Sequence, residues 1–331
     1  MNEMSKMIYA ASGAVDFIFH PSVTDKILIL TDNYSASIAE AFQKAFAEKR
    51  CTVEFYVIKN EERPLIKIPE ELEKFLPGKT IVLNIIRAYP EEISFRIKWI
   101  FKVEENKSIR MGHMPGITEE MMFSSVNVDF RKMKEKAARL IEQLEDAAQL
   151  HITTDAGTDV MLGVGDRKFI DDVGVIPGEM INFPCGEIYC APLETEANGV
   201  VVFDASIGDI GLLKAPLKVY LHKGRITKFE SGDEVLVKRI TELTDVDNEA
   251  RVIGELGIGV NPGARITGNM LEDEKSLGTA HIAFGNNADF PGGGKNNSKI
   301  HRDFLFYRPS IEVRYKNGSK KFLLKSGEFV F

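Results

Sequence analysis

The sequence has few cysteines, no excess of basic residues and no long apolar run. Its three cysteines, Cys51, Cys185 and Cys190, are too few and too irregularly spaced for a disulfide framework, which predicts a reducing, cytoplasmic setting. The net charge of −7, with both signs interspersed, gives no indication of nucleic-acid binding. No window reaches the ~18 consecutive apolar residues of a membrane span, so we expect no contact with a membrane.

What the sequence does contain is enough apolar residue for a large core. Of its 331 residues, 44% are hydrophobic, and this length predicts roughly two domains. In the first half, buried-type strands alternate with helices that carry apolar residues at helical spacing. The predicted strands are 25–32, 51–58 and 79–86, and the predicted helices are 34–50 and 69–78. This β-α-β-α-β order predicts an α/β domain with a mostly parallel sheet.

The second half has a different texture. A long charged helix is predicted over 129–149, after which short strand-like runs alternate with Gly, Asp and Asn turns. "HKGR" and "KNGSK" are hairpin signals, and one further helix is expected near 231–244. We therefore predict an amino-terminal parallel-sheet α/β domain over 1–148 and a β-rich α+β domain over 149–331.

Five polar residues of the second half lie in apolar or Gly-rich surroundings. They are Glu187 in "NFPCGEIYCAP", Glu255 in "GELGIGVNPGA", His281 in "GTAHIAFG", and His301 with Asp303 in "SKIHRDF". Residues i and i+2 of a strand point to the same face, so His301 and Asp303 are predicted to project together. Each residue alone is more typical of a turn or of a hydrogen-bonded core position than of a functional site.

Together, the five residues favour a metal site. Buried charges are normally paired with opposite charges or bound to metal, and no basic residue is adjacent to Glu187, Glu255 or His281 in the sequence. Imidazole and carboxylate ligands are typical of zinc, cobalt, manganese or iron. A non-catalytic structural metal is the alternative, but structural zinc sites usually contain cysteine thiolates. The five residues therefore fit an open catalytic site better.

The same motifs resemble those of a known family. "NFPCGEIYCAPLETEANGVVVFD", "GELGIGVNP", "NMLEDEKSLGTAHIAFG" and "NNSKIHRDFLF" are similar, in this order, to the thermophilic-type metalloaminopeptidases of the aminopeptidase T and aminopeptidase S family. "MGHMPGITEEMM" resembles the amino-terminal domain of that family. The resemblance covers the carboxy-terminal half well and the first half loosely.

The resemblance implies an aminopeptidase that removes amino-terminal residues from peptides with a water activated by two metals. It implies two divalent cations per chain, zinc, cobalt or manganese, and a homodimer. The implied metal ligands are Glu187, Glu255, His281, His301 and Asp303. Glu255 is the implied bridging carboxylate, and Glu187 and Glu255 are the implied catalytic residues.

One departure from the family opens a second reading. The peptidases carry a tyrosine seven residues after the first histidine, where this sequence has Ala288. A dihydroxypyridine ring-cleaving dioxygenase shares the aminopeptidase-like sequence and uses one iron(II). His281, His301 and Asp303 would supply the two-histidine, one-carboxylate triad of such an enzyme, with a small-molecule substrate.

Three residues are candidates for binding substrate. His113 lies beside a Pro-Gly turn in "GHMPG" and could face substrate. Asn198 lies in a predicted turn in "EANGVVVFD", from which it could hydrogen-bond substrate backbone. Tyr307, like Tyr189, is a candidate replacement for the tyrosine missing at Ala288. The candidates for moving a proton are three glutamates: Glu194, Glu196 and Glu274.

Overall fold

The structure is a computed structural model that describes residues 1–331. The chain folds into two compact units. Unit 1 comprises residues 1–134 and 172–185, and unit 2 comprises residues 135–171 and 186–331. None of the helices combines the length and the apolar character that crossing a bilayer requires.

The helices and strands are numbered here in chain order. Up to residue 144 they are α1 (Glu3–Ala14), β1 (Lys26–Asp32), α2 (Ala36–Glu48), β2 (Thr52–Ile58), α3 (Glu70–Glu73), β3 (Ile81–Ile85), α4 (Ile93–Glu104), β4 (Arg110–His113), α5 (Glu119–Phe123) and α6 (Phe130–Leu144). The later ones are β5 (Ala147–Thr153), β6 (Asp159–Gly163), β7 (Ile170–Asp171), β8 (Met180–Asn182), β9 (Glu187–Cys190), β10 (Ala197–Phe203), β11 (Ser206–Ile207), β12 (Gly211–Leu212), β13 (Leu217–His222), β14 (Arg225–Glu230), α7 (Glu234–Thr244), β15 (Ile253–Gly259), α8 (Met270–Asp273), β16 (Thr279–Gly285), β17 (His301–Tyr307), β18 (Ser310–Tyr315), β19 (Lys320–Lys325) and β20 (Glu328–Phe329).

Unit 1 is built on a five-stranded sheet in the order β2-β1-β3-β4-β8, and every neighbouring pair is parallel. In β1, every residue after Lys26 is buried, as expected of a strand covered on both faces. In α2, Ile38, Phe42 and Phe46 repeat every four residues and form its buried stripe. The parallel sheet predicted from the first half is confirmed, although the helix expected at 69–78 is only the single turn α3.

Unit 1 also buries a charged network at the carboxyl end of β1. Arg63 forms salt bridges with both Asp32 and Glu92, and all three side chains are nearly inaccessible to solvent. Asp32 also accepts a hydrogen bond from the backbone N–H of Arg87 at 2.8 Å. Positive and negative groups therefore meet one another directly, which offsets the cost of removing them from water.

Unit 2 contains two antiparallel sheets. The eight-stranded sheet has the order β14-β13-β10-β6-β5-β18-β19-β20, and the seven-stranded sheet has the order β12-β11-β17-β16-β15-β9-β7. Phe203 of β10 contacts Phe304 and Phe306 of β17, with ring centroids 5.1 and 5.8 Å apart, so apolar faces of the two sheets pack together.

The β-rich character of the second half is confirmed, and with it the predicted fold class. "HKGR" connects β13 to β14, and "KNGSK" connects β18 to β19, as the turn residues predict. The helix expected near 231–244 is α7. The charged helix predicted over 129–149 ends earlier, at Leu144, because Ala147–Thr153 pairs with β6 and β18 as strand β5.

Candidate metal centre

Four adjacent strands of the seven-stranded sheet, β17, β16, β15 and β9, carry the five residues singled out by the sequence. The register pairs Glu187 with Gly259, Gly257 with His281, and Ala283 with Asp303. Directly paired residues project from the same face of a sheet, and every second residue along a strand does so too. Glu187, Glu255, His281, His301 and Asp303 therefore share one face, and we call them the five-residue cluster.

A β-bulge places Glu255 on this face. The register of β15 shifts between Ile253, which pairs with Phe284, and Glu255, which pairs with Ala283. Because a bulge inserts one extra residue, Ile253 faces the apolar core with Phe284, while Glu255 faces the opposite way. Without the bulge, residues 253 and 255 would project from the same face, and the carboxylate would be directed into the core.

Small residues on the polar face make room for the larger ones. Gly257, Gly259, Ala283 and Gly285 occupy positions on this face between the members of the five-residue cluster. A Cβ atom added to Gly257 would overlap the imidazole ring of His281. The absence of a side chain at Gly257 in "GELGIG" thus allows the His281 ring to lie against the neighbouring strand.

The five side chains lie within contact distance of one another. Nε2 of His281 is 3.3 Å from Oε2 of Glu187 and 3.4 Å from Oε1 of Glu255. Nε2 of His301 is 3.0 Å from Oε2 of Glu255 and 3.4 Å from Oδ1 of Asp303. Each oxygen of Glu255 therefore faces a different imidazole.

These contacts define two groups of candidate metal ligands. In the first group, Glu187, Glu255 and His281 each offer a ligand atom within 4.8 Å of the others, and all three residues are buried. The second group consists of Glu255, His301 and Asp303, with ligand atoms equally close, and it is the more open because 30% of the His301 side chain is exposed. Glu255 belongs to both groups.

The electrostatics couple the imidazoles to the carboxylates. Burial opposes protonation of His281, but its hydrogen bond to Glu255 and the charge of Glu187 raise the pKa of His281 to about 9. The pKa of His301 is also raised, since Asp303 and Glu255 outweigh the effect of burial. Burial alone would raise the pKa of Glu255, yet the two imidazoles hold it well below the usual value. The carboxylates of the cluster thus stabilise a positive charge placed between them.

The donor set fits divalent cations. Nδ1 of His301 lies 2.7 Å from the backbone oxygen of Asn286, an acceptor, so this nitrogen carries the proton and Nε2 is directed at the carboxylates. Once His301 is deprotonated, its Nε2 and the facing carboxylate oxygens would have no hydrogen between them, and a divalent cation would supply the positive charge that the proton supplies in its absence. Imidazole nitrogen with carboxylate oxygen and no thiolate is a common ligand set for catalytic zinc and related metals.

The structure adds two residues that were not predicted to pair with the cluster. Lys275 is 1% exposed and forms salt bridges with Glu187 and, at 2.8 Å, with Glu274. Burial raises the pKa of the Glu274 carboxyl, although Lys275 opposes that shift, and the charges of Asp303 and His281 also reach it. Lys275 is 88 positions from Glu187, so adjacency in the sequence gave no sign of this pair.

The other two proton-transfer candidates lie in different surroundings. Glu194 forms a salt bridge with Arg167 at 2.7 Å and accepts a hydrogen bond from the backbone N–H of Lys295. The Glu196 side chain lies against Gly163 at the end of β6. Among the three glutamates predicted to move a proton, Glu274 is the one that has contacts reaching the five-residue cluster.

The three predicted substrate-binding residues lie in three different strands. His113 is buried in β4 of unit 1, where its Nδ1 receives a hydrogen bond from Asn84 at 3.0 Å. Burial lowers the pKa of His113 to about 3, and the charge of Arg96 adds to this effect. Asn198 lies in β10 of the eight-stranded sheet and accepts a hydrogen bond from the backbone N–H of Lys223. Tyr307 lies at the far end of β17 from His301 and is partly exposed.

The segment between β16 and β17 contains Ala288 and borders the cluster. Asn287 ties it to β15 through a hydrogen bond to the backbone oxygen of Gly254 at 2.9 Å. The Phe290 ring contacts the rings of His301 and Tyr189, with centroids 5.5 and 5.4 Å apart. Tyr189 shares the polar face of β9 with Glu187, so of the two tyrosines considered in place of Ala288, it lies at the same end of the sheet as this segment.

Comparison with known proteins gives a family and a fold. The family model described as thermophilic metalloprotease (M29) matches residues 126–329. No curated protein matched the sequence. Among solved structures, 2,5-dihydroxypyridine dioxygenase from Pseudomonas putida KT2440 has a TM-score of 0.76 at 17% identity, over 100% of this chain and 98% of that one. AmpT from Thermus thermophilus has a TM-score of 0.75 at 15% identity, over 99% of each chain.

At these identities the two structural similarities establish the fold, which a dioxygenase and AmpT share with this chain. The family match extends over more than half of the sequence and includes all five residues of the cluster. The chain therefore belongs to the thermophilic metalloprotease family M29, whose members are metal-dependent hydrolases of peptide bonds.

Proposed function

We propose that this chain is an aminopeptidase that uses two divalent cations, one at each ligand group of the five-residue cluster. The single observation that carries the proposal is the orientation of Glu255, whose two oxygens face His281 and His301 separately. A carboxylate in this position is suited to bridging two cations. Bound as a pair, zinc, cobalt or manganese ions activate water near neutral pH and polarise a carbonyl group.

The protein side chains have separate tasks in this proposal. Glu187 and His281 would hold one cation, and His301 and Asp303 would hold the other. The hydrogen bond between His301 and the Asn286 oxygen fixes the imidazole with Nε2 towards the cluster. Gly257 has no side chain, so the His281 ring can occupy the space beside it without a steric clash.

Glu274 is the proposed proton carrier. Its carboxyl is nearly buried, has a raised pKa and lies within the electrostatic reach of His281 and Asp303. A raised pKa brings a carboxyl closer to neutral pH, where it can accept a proton from water and return it to the leaving amine. The amine of the scissile bond is a poor leaving group until it is protonated, so this transfer is required for peptide hydrolysis.

The restriction to amino-terminal residues and to peptide substrates follows the resemblance to aminopeptidases T and S and the shared fold with AmpT. The same resemblance supports a homodimer, and the three free cysteines support a reducing, cytoplasmic setting. Light scattering tests the homodimer, and a particle with the 37.0 kDa mass of one chain would contradict it. His113, Asn198 and Tyr307 stay predictions as substrate-binding residues.

A mononuclear iron(II) dioxygenase is the second candidate, favoured by the structural similarity to the Pseudomonas putida enzyme. Its predicted triad of His281, His301 and Asp303 requires three ligand atoms that converge on one ion. His281 instead lies with Glu187 and Glu255, in a different group from His301 and Asp303. The two-group arrangement therefore supports the peptidase.

Two measurements on the same preparation decide between the candidates. Elemental analysis of the protein as purified gives the metal and its stoichiometry, and hydrolysis of aminoacyl p-nitroanilides is followed after loading with zinc, cobalt or manganese. We expect two cations per chain and anilide hydrolysis that a chelator abolishes. One iron per chain, with oxygen consumption on 2,5-dihydroxypyridine and no anilide hydrolysis, would overturn the proposal.

A further inference from the structure

Lys275 is a buried cation beside a group of metal ligands. Its side chain is 1% exposed, and its ammonium group forms salt bridges with Oε1 of Glu187 and with Glu274. A lysine is rarely buried to this extent, because removing its charge from water is costly unless carboxylates compensate. Its position therefore depends on Glu187 and Glu274.

The backbone brings Lys275 to this point through a close approach of two segments. The single-turn helix α8 is followed by Lys275, whose carbonyl oxygen accepts a hydrogen bond from the backbone N–H of Asn261 at 2.9 Å. Gly259 pairs with Glu187 in the sheet, and a Cβ atom at Gly259 would overlap the backbone of Ser276 and approach that of Lys275. The glycine opposite Glu187 thus allows the lysine backbone to lie against the strand.

The salt bridge makes the two ligand groups chemically unequal. Oε1 of Glu187 binds the ammonium group, and Oε2 is the oxygen that faces His281 at 3.3 Å. In the second group, Asp303 faces the imidazole of His301 at 3.4 Å. Both carboxylates therefore face an imidazole, but the charge of Glu187 in the first group is also partly neutralised by a lysine.

We infer that Lys275 weakens cation binding at the group of Glu187, Glu255 and His281 relative to the group of Glu255, His301 and Asp303, so that one metal is held permanently and the other exchanges. This inference rests on the proposed two-metal function. Lys275 acts here as a positioning residue: it limits Glu187 to one oxygen for a metal and repels a nearby cation. The charge of the Lys275 ammonium group, which directly contacts one of the candidate ligands, should weaken the affinity for a divalent cation by on the order of 100-fold.

The test is a zinc titration of chelator-treated full-length protein, followed by isothermal calorimetry. We expect two phases in the wild type, the second with a dissociation constant about 100-fold weaker. Lys275→Met keeps the length of the side chain and removes the charge, and it should tighten the second phase at least about tenfold. Lys275→Arg keeps the charge and should preserve the separation of the two phases.

Variants of the two histidines assign the phases. His281→Ala should remove the weak phase, and His301→Ala should remove the tight one, and these titrations test the inequality even if Lys275→Met fails to fold. The reverse assignment, two equal phases in the wild type, or an unchanged separation in Lys275→Met would overturn the inference and leave the two-metal function intact. A single zinc per wild-type chain would instead contradict the proposed function itself.

Discussion

His113 in unit 1 and His281 in unit 2 are both buried strand residues, but their surroundings differ. His113 receives a hydrogen bond from the neutral side chain of Asn84, and burial lowers its pKa to about 3. His281 faces Glu187 and Glu255, and these carboxylates raise its pKa to about 9 in spite of burial. The neutral His113 imidazole has a neutral hydrogen-bond partner and needs no cation nearby. An imidazole that faces carboxylates lies instead where a positive charge is stabilised.

The charged networks of the two units differ in the same way. In unit 1, Arg63 lies between Asp32 and Glu92 and meets both directly. In unit 2, Lys275 forms salt bridges with Glu187 and Glu274, whereas Glu255 and Asp303 face the imidazoles of His281 and His301. Buried carboxylates that each contact a permanently charged guanidinium indicate a structural role, whereas buried carboxylates that face imidazoles, which can lose their charge, indicate a cation site.

The largest expected effect comes from removing the shared carboxylate charge. Glu255→Gln is nearly isosteric, but an amide cannot bridge two cations. We expect loss of at least one metal ion per chain by elemental analysis and a fall in kcat/KM of ~1,000-fold or more on aminoacyl anilides. The same change in unit 1, Glu92→Gln, is the matched control: it should lower stability by about 1–3 kcal/mol and leave the metal content unaltered. Retained metal stoichiometry in Glu255→Gln would contradict the bridging role.

A second substitution tests the space that the His281 ring requires. Gly257→Ala adds a Cβ atom that would overlap the imidazole, so the ring must leave its present position. We expect a loss of metal affinity and of kcat/KM on the order of 100-fold, since a ligand displaced by about 1 Å binds poorly. Gly232→Ala is the control, because a Cβ atom there meets no atom within 4 Å. Unchanged zinc affinity in Gly257→Ala would show that His281 is not a ligand.

The raised pKa of His281 predicts a pH dependence in the metal-free protein. The pKa of about 9 in the folded protein lies above the ordinary histidine value of 6.5, so the protonated imidazole contributes stability that is complete below pH 6.5 and is lost as the pH rises through 9. We expect urea unfolding in the presence of a chelator to show a loss of roughly 3 kcal/mol at most over this window. The metal-loaded protein should lack this loss, because its histidines are already deprotonated; an identical slope in both forms would refute the assignment.

The smallest effect at pH 7 is expected for substitution of His113, whose pH dependence has the opposite sign to that of His281. Its folded pKa of about 3 lies below 6.5, so the neutral imidazole contributes stability that is present above pH 6.5 and is lost as the pH falls towards 3. His113→Gln retains a polar group for Asn84 and should cost about 1 kcal/mol at pH 7, with unchanged metal content and reduced sensitivity to acid. A raised KM at unchanged stability would instead identify His113 as a substrate-binding residue.

Much of the fold could be predicted because its determinants are local. The alternation of apolar strands with the amphipathic helix α2 indicated the parallel sheet of unit 1. The hairpins at "HKGR" and "KNGSK" were evident from their turn residues. The helix predicted to 149 was too long because strand pairing of Ala147–Thr153 overrides the helical propensity of its sequence, a competition that only distant strands decide.

The chain by itself determined which residues are candidates for the metal centre, since carboxylates and imidazoles in apolar runs stand out, and strand periodicity placed His301 and Asp303 together. Only the tertiary structure decided how they are grouped. The bulge before Glu255 and the antiparallel register put His281 with the two glutamates, separately from His301 and Asp303. It also brought Lys275 to Glu187 across 88 positions. The alternation of residues along a strand predicts the face from which each side chain projects, but the register between strands and long-range packing determine which side chains meet.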